Sequence, residues 1–158
     1  MSPQPLTDPV FTQLHALNNL HAKALSFTTA PDFQDLWNNA YWGHHIEGQA
    51  FLIAFDQSSQ ISGENFDYLC RHYSHFVYVD RIVVSKDAQG KGYGRMLYGA
   101  LSHQAQKDSH ACILCEINLD PPNPGSVAFH HKLGFQTVGP PRLLQNGKTV
   151  QYFQKALR

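Results

Sequence analysis

Residues 77–95, Val77-Tyr-Val-Asp-Arg-Ile-Val-Val-Ser-Lys-Asp-Ala-Gln-Gly-Lys-Gly-Tyr-Gly-Arg95, constrain the fold more than any other stretch. Residues 77–84 are rich in β-branched and aromatic side chains, which suits a strand. Residues 85–88 break that run. Gly90, Gly92 and Gly94 then open a segment with Met96, Leu97, Ala100, Leu101 and Ala105 on one helical face. A strand, a glycine loop and a helix start in that order present backbone N–H groups at the positive end of a helix dipole. No Cβ atoms hold an anion away from them, so a phosphate suits the site. Two familiar phosphate loops are excluded. No Gly-x-x-x-x-Gly-Lys-Ser/Thr occurs. Against the dinucleotide fingerprint the third glycine comes one residue early, and Leu114 stands where an acidic residue is needed.

The remaining pattern predicts one α/β (α+β) domain over residues 1–158, long enough to bury a sizeable core. Residues 10–17 read as a strand or as the start of a helix continuing through Lys23, and Asn18 or Asn19 would cap a helix that starts at about Asn19. A second helix is expected over 31–40, with Phe33, Leu36, Trp37 and Ala40 at helical spacing and Pro31 near its start. The apolar run 50–55 lacks alternation and reads as a strand buried on both faces. Residues 58–74 read as a loop with one short helix, long enough for a functional insertion. A helix to about Asp108 precedes a strand over 111–119. Asp120-Pro-Pro then forces a break, and Asn123 caps a helix running to Leu133, with Gly134 as its C-terminal cap. Residues 135–138 read as a strand from which Gly139-Pro-Pro141 turns away. An Asn146-Gly147 hairpin turn leads into a last strand over 149–155. The sum is a mixed sheet of six to seven strands with helices on both faces. Its two central strands, 77–84 and 111–119, run parallel through a right-handed crossover.

Charge and cysteine usage narrow the function classes. Twelve basic and twelve acidic residues cancel, so the chain is not basic enough for nucleic acid to be the default partner, and none is expected. No apolar run reaches the ~20 residues of a membrane span, and the first residues lack a signal-peptide pattern, so a cytoplasmic location is expected. Cys112 and Cys115 sit three apart in a strand, on opposite faces, and read as separate free thiols. Ten histidines include the adjacent pairs His44-His45 and His130-His131, but no His-Glu-x-x-His, and no metal site is expected.

Two further matches carry a family resemblance. Gln89-Gly-Lys-Gly-Tyr-Gly94 fits Gln/Arg-x-x-Gly-x-Gly/Ala. Asn123-Pro-Gly-Ser-Val-Ala-Phe-His-His-Lys-Leu-Gly-Phe135 fits a second signature at Asn123, Phe129, Gly134 and Phe135, with Ser126 where Ala is usual and His130 where Tyr is usual. On these motifs the chain resembles the GNAT superfamily of N-acetyltransferases, best over residues 76–139. Leu17-Asn18-Asn19 and Asp120-Pro-Pro-Asn-Pro124 resemble one subgroup of it.

The resemblance implies a strand over residues 10–17 followed by a helix from about Asn19, and a centrally splayed sheet with acetyl-CoA as cosubstrate. The pyrophosphate would lie on Gln89, Gly90, Lys91, Gly92, Tyr93, Gly94 and Arg95. The pantetheine would run along Ile82, Val83 and Val84, with Asn123 beside it. The acyl acceptor would be the amine of a small molecule or a peptide. His130 is the candidate acid, at the position of the family's Tyr, with packing as its alternative role. Asp80 is the candidate base, with an ion pair as its alternative, and strand parity places it with Tyr78, Ile82 and Val84. His44, His45, Glu47, Glu116 and a water chain are further candidates for the base. A non-catalytic acyl-CoA sensor is the competing function, and a homodimer is left open.

Overall fold

The computed structural model describes residues 2–21 and 27–157. Its strands are β1 (Gln4–Pro5), β2 (Trp42–Ile46), β3 (Ala50–Asp56), β4 (Phe76–Val84), β5 (Cys112–Asp120), β6 (Gln136–Leu143) and β7 (Thr149–Ala156). They form one sheet in the order β1-β2-β3-β4-β5-β7-β6. Only β4 and β5 pair in parallel. Helix α4 (Tyr93–Lys107) joins them. Among the described residues no helix is long and apolar enough to cross a membrane.

Two apolar cores lie on the two faces of this sheet. Helices α1 (Asp8–Leu20), α2 (Ala30–Asn38) and α3 (Glu64–His72) cover one face, where Leu14, Phe33, Phe66 and Leu69 meet Phe51, Tyr78 and Leu114. Helices α4 and α5 (Pro124–Lys132) cover the other, where Leu97, Tyr98 and Leu101 meet Leu52, Val79 and Cys115. The run in β3 is buried on both faces, as its unbroken apolar pattern predicts. Cys112 and Cys115 fall in opposite cores as free thiols.

The first helix corrects one expectation. Residues 10–17 are helical, not a strand, and Asn18 and Asn19 lie in the last turn of α1, where neither caps its start. Thr7 and the first-turn Pro9 set that start, and Val10, Leu14 and Leu17 recur at helical spacing. Residues 22–26, within the helix expected from Asn19, lie outside the described residues.

Gly139-Pro-Pro141 gives the second correction, because it stays inside β6. β6 pairs with β7 on both sides of it, at Val138↔Tyr152 and Arg142↔Val150, so the segment forms a bulge. An edge strand tolerates prolines because one side needs no N–H donors. The buried Gln151 side chain donates Nε2–H to the carbonyls of Val138 (3.1 Å) and Gly139 (2.9 Å), satisfying the bulged backbone.

Candidate active site

Parallel pairing of β4 and β5 is brief: Phe76↔Cys112, Val77↔Ile113 and Tyr78↔Leu114. Beyond Tyr78 the two strands separate, and β4 borders a cleft instead of a neighbour. A second irregularity falls at the same level. Ile53 pairs with Arg81 and Ala54 with Val79, so Asp80 is an extra residue in β4. Such a bulge shifts which side chains share a face. Val77 and Val79 before it, and Ile82 and Val84 after it, all pack toward α4 and α5, whereas Tyr78 and Val83 pack toward α1–α3. The uniform parity expected for Tyr78, Asp80, Ile82 and Val84 therefore fails at Asp80.

The glycine loop lies at one end of the cleft. Gly90 (φ +84°) and Gly92 (φ +80°) adopt the left-handed conformation that only glycine takes without strain, and Gly92 caps α4. Gly94 serves packing, since a Cβ there would stand 2.8 Å from the Phe129 ring. Gln89, Gly90, Gly92, Tyr93, Gly94 and Arg95 line a cavity of about 710 Å³ with Ile82, Val84, Asn123 and His130. Lys91 is exposed on the same loop, and Lys132 adds a cation from α5. The Tyr93 hydroxyl donates to Glu47 Oε1 (2.8 Å), tying the loop to the β2–β3 turn. Val83 turns its side chain into the α1–α3 core. Asn123 Oδ1 accepts the Ser126 N–H (3.3 Å) and caps α5 as its sequence predicts.

A second cavity, of about 380 Å³, adjoins the first through Ile82, Val84, Gln89, Asn123, Ser126 and His130. His130 is buried, with both ring nitrogens engaged. Nδ1 lies 2.7 Å from the Ser126 carbonyl, which can only accept, so Nδ1 carries the proton. Nε2 is then an acceptor for the Tyr98 hydroxyl at 2.8 Å. Burial lowers the His130 pKa, so the ring is neutral at neutral pH. The phenol proton points at the imidazole. Tyr98 itself is buried, and its pKa is raised by that burial.

Across the sheet a third cavity, of about 200 Å³, lies against α3 and the β6–β7 hairpin. It shares Asp80, Arg81, Glu116 and Asn118 with the second cavity, so these four residues stand where the two meet. Arg81 Nε donates to Asp80 Oδ2 (2.7 Å), and Arg81 Nη1 donates to Oδ1 of the fully buried Asn18 (2.9 Å). Asn19 in turn binds both N–H and C=O of Thr28, holding the start of the α2 segment to α1. Leu17-Asn18-Asn19 thus acts as a brace behind the bulge.

Glu116 accepts the Tyr78 hydroxyl at 2.7 Å. Its carboxyl is pushed up from 4.5 to about 8, mainly because burial disfavours the anion and in part because Asp80 is near. The Tyr78 hydrogen bond and Arg81 act the other way. The arrangement places a carboxyl group whose burial favours its protonated form on one side of the splay and a neutral Tyr98–His130 pair on the other. Tyr98 gives no sequence signal beyond its place in an amphipathic helix, because its partner lies 32 residues away. Glu116 leaves one, as a lone charge in the apolar run Ala111-Cys-Ile-Leu-Cys-Glu-Ile117.

A seven-stranded mixed sheet, open between two parallel strands beside a glycine-rich helix start, defines a GNAT-type fold. The profile of the acetyltransferase (GNAT) family matches residues 14–135, and the chain belongs to that family. Among solved structures, ribosomal-protein-alanine N-acetyltransferase from Brucella melitensis is similar with a TM-score of 0.72 and 18% identity, over 99% of this chain and 100% of that one. A putative acetyltransferase from Salmonella typhimurium, with its cofactor acetyl-CoA, has a TM-score of 0.70 and 19% identity over 100% and 94%. An N-acetyltransferase from Staphylococcus aureus has 0.70 and 15% over 99% and 98%. At these identities the likeness is one of fold. A sequence search of curated proteins gave no match.

Proposed function

We propose that the protein transfers an acetyl group from acetyl-CoA to a primary amine. The observation that carries this reading is the pair of adjoining cavities from the glycine loop to Glu116, with a further cavity that shares Asp80, Arg81, Glu116 and Asn118 with them. The pyrophosphate lies on the loop 89–95, with Lys91 and Arg95 supplying charge. The pantetheine amides pair with the open edge of β4 at 82–84, as an added strand would. A backbone N–H of that strand stabilises the developing oxyanion. The amine enters from the α3 side. Its nitrogen forms a bond to the thioester carbon as the C–S bond breaks, one proton passes to Glu116, and the thiolate departs.

Glu116 suits the base better than Asp80, because Asp80 is already held by Arg81 and Glu116 has a pKa of about 8. Asp80 then orients Arg81 and raises the basicity of Glu116. His130 as the acid would require the imidazolium, and a pKa lowered by burial makes that form scarce at the pH where Glu116 is ionised. A thiol titrates near ~8.5, so its anion leaves without an acid at such pH. His130 and Tyr98 are accordingly positioning residues that shape the thioester end of the cleft.

The competing role, an acyl-CoA sensor without turnover, predicts binding alone. Acetyl-CoA titration by calorimetry, followed by thiol release with an amine panel, tests the assignment. Binding with amine-dependent thiol release is the expected result, and binding without any release would favour the sensor.

A further inference from the structure

The acceptor cavity is roofed. Helix α3 belongs to the 58–74 insertion, and its first turn closes the cavity from one side while the β6–β7 hairpin closes it from another. Two hydrogen bonds fasten these walls together. The Gln145 N–H donates to Glu64 Oε1 (3.0 Å), and the Tyr152 hydroxyl donates to Asn65 Oδ1 (2.6 Å). Phe66 and Leu69 anchor the helix in the core beneath, so α3 is a fixed wall rather than a hanging loop. The Tyr68 ring stacks on Tyr152 at 5.1 Å, and Arg142 lies 4.0 Å over Tyr68, joining helix and hairpin a second time.

The space between these walls is small and polar. At about 200 Å³ it falls below the ~300–1,000 Å³ typical of sites for drug-sized ligands. Ser62, Asn65, Asn118 and Asn146 line it together with Glu116 and the cations Arg81 and Lys148. An extended peptide would need an open trough past the reacting nitrogen, and the fastened α3–hairpin pair stands across that path.

We propose that the acceptor is a compact polar primary amine, with hydrogen-bonding groups close to the nitrogen, and not the N-terminus of a polypeptide. This rests on the transferase reading above and narrows it. Atoms balance as in that reaction, with the amine proton taken by Glu116 and the thiolate released.

The test compares amino alcohols, amino sugars, short diamines and amino acids with hexapeptides bearing a free α-amino group, at fixed acetyl-CoA. The expected result is a kcat/KM at least tenfold higher for the best compact amine than for any hexapeptide. Ser62→Trp, at an exposed rim position, should lower turnover of that amine at least tenfold and leave acetyl-CoA affinity within twofold. A double variant, Glu64→Ala with Asn65→Ala, unfastens the wall. It should raise KM for the compact amine and bring hexapeptide turnover up, with thermal melting used to confirm that it folds. Acetyl-CoA binding with hexapeptides preferred, or unchanged amine turnover in Ser62→Trp, overturns the substrate class and leaves the transferase reading standing. Absence of acetyl-CoA binding, or binding without turnover of any acceptor, overturns both.

Discussion

Replacing Glu116 by Gln removes the ionisable group and keeps an oxygen for the Tyr78 hydroxyl, now 2.7 Å from the carboxylate. Two consequences follow from a carboxyl pushed up to about 8. The first is kinetic. At pH 7 only about a tenth of the unliganded enzyme carries the ionised base, and at pH 9 about nine-tenths does. The wild-type rate should therefore climb between pH 7 and 9 and level off above. An acceptor amine of low pKa keeps its own titration out of that window. In Glu116→Gln the climb should disappear and kcat should fall by roughly 10²–10⁴ at pH 8.5, the usual loss for a general base. Acetyl-CoA affinity should stay within a few-fold.

The second consequence is thermodynamic. The folded state holds this proton more tightly than the unfolded chain, so between pH 4.5 and 8 the native protein binds more protons. Stability then falls as pH rises through that window. The span from 4.5 to about 8 sets a ceiling near ~5 kcal/mol at ~1.36 kcal/mol per tenfold. Access of water through the cleft reduces it, and about 1–3 kcal/mol is expected. Denaturant melts at pH 5 and pH 9 should show Glu116→Gln gaining on the wild type by that amount at the higher pH. A variant that keeps its rising pH limb and loses less than fivefold in kcat would refute Glu116 as the base. A wild type whose stability rises from pH 5 to pH 8 in step with this site would refute the raised pKa.

Gly92→Val forces a β-branched residue into φ +80°, and calorimetry should show at least a tenfold loss of acetyl-CoA affinity; unchanged affinity would remove the loop from the binding site. Tyr98→Phe leaves His130 Nε2 buried without its donor and should cost about 1–3 kcal/mol in denaturant melts, with kcat down less than tenfold. His130→Ala should likewise destabilise more than it slows; a 10²-fold or greater fall in kcat with a stable fold would make His130 the acid after all. Alkylation of the unfolded, unreduced protein followed by mass measurement should find Cys112 and Cys115 both modified, since they lie in opposite cores; an internal disulfide would contradict that placement.

Much of this was legible in local pattern. The loop 89–95, the Asn123 cap, the Asn146-Gly147 turn and the two-sided burial of β3 each depend on neighbours within a few positions, and the sequence carries that information directly. What escaped depends on pairing. Nothing in Val77-Tyr-Val-Asp-Arg-Ile-Val-Val84 reveals that Asp80 is an extra residue, because a bulge is defined against the partner strand. Asn18 looks like a cap by type, and its use as a support for Arg81, 63 residues on, emerges only when α1 meets β4. The helical spacing of Val10, Leu14 and Leu17 is present in the sequence, and the strand expected there follows the family's element order; in the structure that first strand is the short Gln4–Pro5, and the helix starts at the Pro9 turn. Glu116 was visible as a misplaced charge, but its raised pKa comes from the walls around it.

Two cavities that meet at Asp80, Arg81, Glu116 and Asn118 bear on the order of events. On the proposed reading, acetyl-CoA and amine would approach without passing each other, so both could be resident together and neither product would block the other's exit. Cys115, the thiol beside the cleft, is kept protonated by burial and offers no acyl way-station. Initial-rate lines should therefore intersect rather than run parallel. Free CoA should compete with acetyl-CoA alone, and the acetylated product with the amine alone, as if the sheet kept two separate queues.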